Sequence, residues 1–561
     1  MGITKKHKSR KLSFILASVL SISLIASLGG AATASEVKAG SKCIYLNEQN
    51  YQNNEVLICK VVKGKRIWAK HFTGGDGGTV TIGIGSLPAT LEAFAASAPP
   101  RSFIVGAIYS ALTRVDLSTG TPIVKPGVAE SWSQEGNSKT WIFNLIQGKK
   151  FPNGEPVDAT AVKTSLEWVL NPRNSAGLRA KISEITNIEV MSDYKVKITT
   201  SATRYLLPRT LGTVPILPPK EFIAKGAAAF WKAPVGTGPF KATSFTPNVE
   251  LVLEANPFSL RVTPSAKKIV FKVIPEDASR MSGLRSASLD VVNKVPTDDL
   301  GALRNGGFAV KAIVEPATYH MSIMAKSGPL ADKRVRQALN YAVDKQALID
   351  KVNGGLGAIA QAQLVPSNLT GYCKDITAYP YDLKKANALM KEAGVTGLKM
   401  TFQTSTAYIT NDVLMAQAIA QMLEKLDAID KVEVEVLEFS KFLDVYYLRG
   451  AIPRKDLFAW RMSSSPDLDA AVQNERYTST YSTHNIGYSN PEYDRLYAKA
   501  AALSTRSAAR TQAFCDLGKI LKEDAPILWG IHTPDIWAGK KATKRFFVDS
   551  GGNIDLVGIG N

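Results

Sequence analysis

Apolar and polar positions recur with clear periods along most of the chain. Thr79-Val-Thr-Ile-Gly-Ile84 alternates with period two and predicts a strand, as does Trp141-Ile-Phe-Asn-Leu145. A Pro152-Asn153-Gly154 turn follows, and Asp158 is placed to cap a helix carrying Val162, Leu166 and Val169 on one face. Further strands are predicted at Lys195–Ile198, Leu251–Leu253 and Ile269–Ile274. Asp332 is expected to cap a helix in which Val335, Leu339, Ala342 and Val343 recur at helical spacing, and Leu383–Ala393, ended by Gly394, to form a second. Leu398–Phe402, a helix near Asp412–Leu426 and Val432–Val436 read as a β-α-β unit, which predicts a parallel strand pair in an α/β lobe.

The first 34 residues follow another pattern. Lys5, Lys6, Lys8, Arg10 and Lys11 precede an apolar run, Phe14–Leu28, broken only by small residues and serines, and Ala32-Thr33-Ala34 follows. That order predicts a secretory signal peptide over 1–34, since about 15 apolar residues fall short of the roughly 20 that span a bilayer. Cys43 lies well past the small-residue site, so no lipid anchor is expected, and the protein is expected to be periplasmic or at the cell surface. Residues 35–73 read as a small basic module. Short β-runs at Cys43-Ile44-Tyr45, Val56–Val62 and Ile67-Trp68 are separated by a polar turn through Asn47–Asn54 and by Lys63-Gly64-Lys65. In an exported chain Cys43 and Cys59 are expected to close a disulfide that lets so small a unit hold its fold. Its role stands open between a spacer, which is favoured, and a contact with an anionic cell wall. Gly74–Gly78 reads as a flexible linker.

Length and composition then bound the class. A chain of 561 residues, 45% of them hydrophobic, predicts several domains around a large core. The net charge of +19 first suggests nucleic acid. Partitioned along the chain, five cations belong to the signal segment and four net charges to residues 35–73, which leaves about +10 spread over the remaining body. With no basic cluster interleaved with aromatics, and with export, a nucleic-acid partner is excluded.

Catalytic patterns are weak. The five histidines are scattered without metal-ligand spacing, Gly83-x-Gly85 lacks a third glycine, and no P-loop exists, so neither a metal nor a cofactor is expected. Ser192-Asp-Tyr-Lys195 and Ser265-Ala-Lys-Lys268 match S-x-x-K, but neither opens an apolar helix and no companion motif accompanies them. A secreted serine acyl-enzyme is therefore only a weak rival to a non-enzymatic binding protein. Whether Cys373 and Cys515 pair stays open at this point.

Longer matches are more specific. Trp141-Ile-Phe-Asn-Leu-Ile-Gln-Gly-Lys-Lys-Phe-Pro-Asn-Gly-Glu-Pro-Val-Asp-Ala-Thr-Ala-Val-Lys-Thr-Ser-Leu-Glu167, Gly236-Thr-Gly-Pro-Phe240 and Leu251-Val-Leu-Glu-Ala-Asn-Pro257 resemble, in order, segments of the peptide/nickel-type solute-binding proteins of ABC importers, family 5. So do Leu330-Ala-Asp-Lys-Arg-Val-Arg-Gln-Ala-Leu-Asn-Tyr-Ala-Val-Asp-Lys-Gln-Ala-Leu-Ile349, Tyr381–Gly394, Tyr488–Asp494 and Glu523–Ile527. The resemblance spans 79–561. It implies an α/β, two-lobed, periplasmic-binding-protein-like clam-shell of class II with an extra subdomain, here preceded by the small β-rich module. By position, lobe I would comprise 79–115, 236–314 and 535–561, the inserted subdomain 116–235, and lobe II 315–534. It further implies a monomeric receptor that carries a peptide or other small polar solute to ABC permease subunits, with an oligosaccharide, opine or nickel chelate as alternatives.

For the site, the resemblance points to the stretch around Trp460, where peptide binders place an aspartate shortly after the tryptophan to pair with the ligand's α-ammonium. This chain departs from that pattern: Trp460 is followed by Arg461, Met462, Ser463, Ser464 and Ser465, and no acid appears before Asp467, beyond Pro466. Arg461 is placed to hold an anion and Trp460 to stack on solute; the alternative reading makes Trp460 a packed lobe residue and Arg461 a rim residue. Asn293, Tyr319, Phe103 and Tyr109 are further candidates. Asp332 and Gly236–Pro239 are expected to be structural, and Arg334 and Arg336 solvated or hinge-side.

Overall fold

The structure, a computed structural model, describes residues 37–561 apart from 44–48, 53–54, 76, 96–99, 117–122, 137–138, 175–176, 261–262, 366, 368–370, 407, 447–451, 463–469, 481–485, 504–506 and 550–551. The expected signal peptide, 1–34, lies outside the described residues. In chain order the strands are β1 (Gln49–Gln52), β2 (Glu55–Val62), β3 (Lys65–Thr73), β4 (Thr79–Ile84), β5 (Thr113–Asp116), β6 (Ile123–Pro126), β7 (Ala129–Gln134), β8 (Thr140–Leu145), β9 (Ile185–Ser192) and β10 (Lys195–Thr200). They continue with β11 (Phe240–Thr246), β12 (Glu250–Ala255), β13 (Lys268–Val273), β14 (Val291–Asn293), β15 (Ala309–Ile323), β16 (Ala358–Ile359), β17 (Leu398–Ser405), β18 (Ile429–Leu437), β19 (Leu457–Met462) and β20 (Ile527–Gly539).

One sheet runs through both lobes in the order β11-β12-β13-β4-β14-β20-β15-β19-β17-β18, with β16 beside β20. Its centre is the antiparallel pair β15 and β20, joined from Ala309↔Gly539 to Ser322↔Ile527 with a break in register between Val314 and Thr318. These two long strands cross from one half of the molecule to the other. On one side β13, β4 and β14 are parallel; on the other β17 is parallel to β18 and to β19. Each half buries its own core. Val80, Ile82, Phe271 and Trp537 belong to the first, and Met321, Leu339, Phe402, Ile419 and Leu528 to the second. A four-stranded sheet, β7-β8-β10-β9, packs its helix Ala159–Leu170 into the first of these cores.

Local chemistry explains the predicted helix starts. Asp158 accepts from the amide of Ala161 at 2.8 Å, Asp332 from Arg334 at 2.8 Å and Asp382 from Lys385 at 2.9 Å, each satisfying a first-turn N–H that has no partner within its helix. The Gly-Thr-Gly-Pro segment has a tertiary reason. A Cβ on Gly236 would stand 2.2 Å from the Ile108 carbonyl oxygen, and one on Gly238 2.4 Å from that of Ala107. The Asn256 amide donates to the carbonyls of Gly236 (3.0 Å) and Gly238 (2.9 Å), so two separate sequence motifs form one lock.

Several expectations change. The polar stretch Asn47–Asn54 contains a strand, β1, paired with β2, because main-chain pairing at a sheet edge needs no apolar alternation. The module is a three-stranded sheet, β1-β2-β3, closed by the Cys43–Cys59 disulfide around Leu57 and Trp68. The glycine segment is stitched to the body: Gly75 N–H donates to Pro264 and Gly77 N–H to Ser265, both at 2.8 Å. Gly77 serves close approach, since a Cβ there would meet Gly560 Cα at 2.7 Å, whereas Gly75 and Gly78 hold positive φ, 80° and 58°. Arg336 is buried, donating to the carbonyls of Leu330, Ala331 and Asp524 and so capping the helix Ala508–Asp524, whereas Arg334 is exposed and pairs with Asp332. Cys373 and Cys515 are joined in a second disulfide.

Candidate functional site

The directions of the strands define where a site can form. β14 runs antiparallel to β20, with Val291 opposite Gly539 and Asn293 opposite Trp537, so its carboxyl end points towards the crossover. β19 runs antiparallel to β15, from Leu457 opposite Ile323 to Met462 opposite Thr318, so it approaches the crossover from the other side. Their parallel neighbours β4 and β17 share these directions. The carboxyl ends of both parallel sets therefore face each other across the β15–β20 pair, the place where open α/β sheets bind ligands.

From the first lobe, Asn293 knits β14 to β4 by accepting from the Gly85 amide at 3.3 Å. Lys294, in left-handed backbone (φ 52°), reaches Asp535 on β20 at 3.3 Å, with both side chains largely buried. From the second lobe come Ser405 at the end of β17, Thr410, Asn411 and Asp412 at the start of the helix Asp412–Leu423, and Trp460 on β19. Asn411 Nδ2 donates to the carbonyl of Val352 at 2.7 Å and to Thr297 Oγ1 of the first lobe at 3.3 Å, so the lobes touch here. Asp412 accepts from the amides of Tyr408 (2.8 Å) and Val413 (3.1 Å). Burial nevertheless raises its pKa to about 6, against the lowering effect of those amides and of Lys294.

Trp460 decides between the two sequence readings of itself in an unequal way. Its ring is 6% exposed, packed among Leu437, Phe442, Val445, Tyr446 and Phe458. The alternative of a packed lobe residue holds for the ring, while its Nε1, like Ser405 Oγ and Thr410 Oγ1, is buried with no hydrogen-bond partner among the described residues. Arg461 and Met462 sit opposite Tyr319 and Thr318 in the β15–β19 register; their side chains, and Ser463 and Ser464 entirely, lie outside the described residues.

The other candidates have packing roles. Tyr109 is buried, with its hydroxyl donated to the Leu91 carbonyl at 2.8 Å and its phenol held well above the ordinary range by burial. Tyr319 is fully enclosed in the second lobe's core, and burial raises its phenol likewise. Phe103 packs between Phe271 and Trp537 and lines a cavity of about 200 Å³ with Arg114, Asp116, Phe547, Asp549 and residues 553–557; Trp460 is not part of its lining. Of the S-x-x-K serines, Ser192 ends β9 opposite Lys195, and Ser265 is buried against the Arg545 guanidinium. Among the described residues the one metal-type grouping, Cys373, Asp375 and Cys515, has its two sulfurs bonded to each other. Sequence reasoning missed Lys294, Ser405, Thr410, Asp412 and Asp535. Only Lys294, next to Asn293, stood beside a residue already singled out.

Two lobes joined by two strands, with strand ends opposed across the joint and buried polar atoms left over there, define a hinged solute-binding architecture. The chain belongs to the bacterial extracellular solute-binding proteins, family 5, whose model matches residues 124–485. It is similar to the nickel-binding periplasmic protein of Escherichia coli K12, 28% identical over 310 residues, a match covering 53% of this chain and 58% of that protein. In fold it resembles the periplasmic binding protein DppA of Helicobacter pylori in complex with the peptide STSA, with a TM-score of 0.77 at 20% identity, covering 86% of this chain and 98% of that one. It also resembles AgaA of A. tumefaciens R10 in complex with agropinic acid, with a TM-score of 0.75 at 23% identity, covering 85% and 98%. Among the described residues no helix is long and apolar enough to cross a membrane.

Proposed function

We propose that the chain is the exported solute receptor of an ABC importer, closing lobe I (79–115, 236–314, 535–561, with the insert 116–235) and lobe II (315–534) over a peptide or similarly small polar solute. The closed form would be what the permease subunits recognise, and solute contacts made only on closure would shift the population towards it. The observation that carries this reading is the set of buried polar atoms in lobe II, Ser405 Oγ at the end of β17, Thr410 Oγ1 before the next helix and Trp460 Nε1 on β19, which have no hydrogen-bond partner among the described residues. Such atoms are costly unless something bonds to them, and a solute entering the joint would do so. Asn293 would line the opposite wall and Arg461 the lip.

One observation favours a second ligand class in the same site. Trp460 is followed directly by Arg461, with no acid before Asp467, in the stretch where peptide receptors of the resembled family place an aspartate shortly after the tryptophan, so an anionic solute of the opine type is the alternative to a free peptide. Thermal-shift measurement with free peptides, N-acetylated peptides, opines, oligosaccharides and nickel–histidine separates these, because a ligand bound only by the folded state raises the midpoint. Stabilisation by free peptides supports the first reading. Stabilisation by opines alone replaces it with the second, and no shift with any of the panel overturns both.

A further inference from the structure

The amino-terminal module lies outside the hinge and is not needed to build it. Its β2–β3 hairpin runs from Glu55 and Thr73, next to the body, to a two-residue turn at Lys63-Gly64. Eight residues of strand place that turn about 23 Å from the hairpin base. Every residue from Lys60 to Arg66 is exposed. Four of these seven, Lys60, Lys63, Lys65 and Arg66, are cationic and none is acidic. Glu55, the acid described in this sheet, sits at the other end and pairs with Lys70 at 2.7 Å.

Two further features mark the tip. Val61 and Val62 are 56% and 40% exposed, and in register each lies opposite a cation, Val61 with Arg66 and Val62 with Lys65. Neighbouring residues of a strand point to opposite faces, so both faces of the tip pair an apolar side chain with a positive one. The turn has positive φ at both positions, 48° at Lys63 and 75° at Gly64. Asn or Asp is the usual choice at the first position of such a turn, because a lysine there is strained. A lysine therefore stands at a position where local conformation disfavours it.

We propose that this hairpin tip docks on an anionic lipid bilayer surface, holding the receptor beside the membrane. Clustered lysines and arginines are attracted to acidic headgroups, and paired valines gain by entering the boundary between headgroup and acyl chain. A soluble polyanion would use the cations but give the valines nothing, which is why a bilayer is favoured. The proposal is independent of which solute occupies the hinge.

The test is sedimentation of the chain lacking residues 1–34, with both disulfides formed, on phosphatidylcholine vesicles with and without phosphatidylglycerol. Binding is expected only with phosphatidylglycerol and should weaken with added salt. Lys63→Asn and Lys65→Gln should each reduce it about fivefold. Asn suits the left-handed turn, so Lys63→Asn keeps the hairpin folded, and an unchanged near-ultraviolet signal from Trp68 checks this. Val61→Ser/Val62→Ser should weaken vesicle binding while leaving binding to polyphosphate unchanged. Equal binding to both vesicle types, no binding to either, or valine substitutions without effect on vesicle binding would overturn the proposal; the last, with retained polyphosphate binding, would assign the tip to a soluble polyanion instead.

Discussion

Trp460 lies flat on Tyr446, with ring centroids 3.5 Å apart and planes 3° apart. The indole ring is committed to packing within lobe II, and its N–H is the part left over. Trp460→Ala should therefore cost about 3–5 kcal/mol of stability and report on folding more than on binding. Trp460→Phe is the informative change: it keeps the stack and removes a donor that has no acceptor, so stability should move by less than about 1.5 kcal/mol. If the solute takes that N–H, affinity should fall by about 2- to 12-fold, read by calorimetric titration.

Asp412 gives the joint a pH dependence of defined sign. Its folded-state pKa, about 6, lies above the 3.8 of a free aspartate, so its contribution to stability is fully present below about pH 4 and is lost as the pH rises through 6. His320, buried with its pKa lowered to about 4, works the other way and is lost as the pH falls from 6.5 towards 4. Comparing Asp412→Asn with the parent isolates the first. Between pH 4 and 7 the balance should shift in favour of the variant by on the order of 3 kcal/mol, measured by urea unfolding at each pH.

Asn256→Ala removes two donors from the carbonyls of Gly236 and Gly238. The cost should be about 2–3 kcal/mol in urea unfolding, with solute affinity unchanged, because the lock lies behind the helix Arg101–Ile108 rather than at the hinge. Gly238→Ala should fold more poorly still, since its Cβ would press on main-chain atoms that cannot move aside.

The Cys43–Cys59 bond closes a short loop around a core that is separate from those of the body. Cys59→Ser should remove about 3 kcal/mol from the module alone. Limited proteolysis should then cut within 37–73 while residues 79–561 keep their resistance.

Much of the secondary structure was legible because it rests on local rules. Asp158, Asp332 and Asp382 cap because a carboxylate beside free first-turn amides has few better options, and β17 and β18 are parallel because a helix of the right length separates them. β1 was not legible, since Gln49–Gln52 pairs through its backbone and shows no apolar period. Arg336 read as solvated or hinge-side because sequence gives no sign of the three carbonyls that gather around it, one of them from Asp524. Tyr109 and Tyr319 looked available for a solute for the same reason: their enclosure depends on Leu91 in one case and on the whole lobe II core in the other.

By itself the sequence determined the periodic elements, the caps, the small disulfide-closed module and the order of motifs that marks a two-lobed receptor, all of which follow from residues near one another in the chain. Tertiary structure alone decided what stands at the hinge. Lys294 and Asp535 are 241 positions apart, and Asn411 and Thr297 are 114. The directions of β14 and β19 relative to β15 and β20 bring these residues to one joint, and burial, not residue type, leaves the hydroxyls of Ser405 and Thr410 and the indole N–H of Trp460 without partners among the described residues.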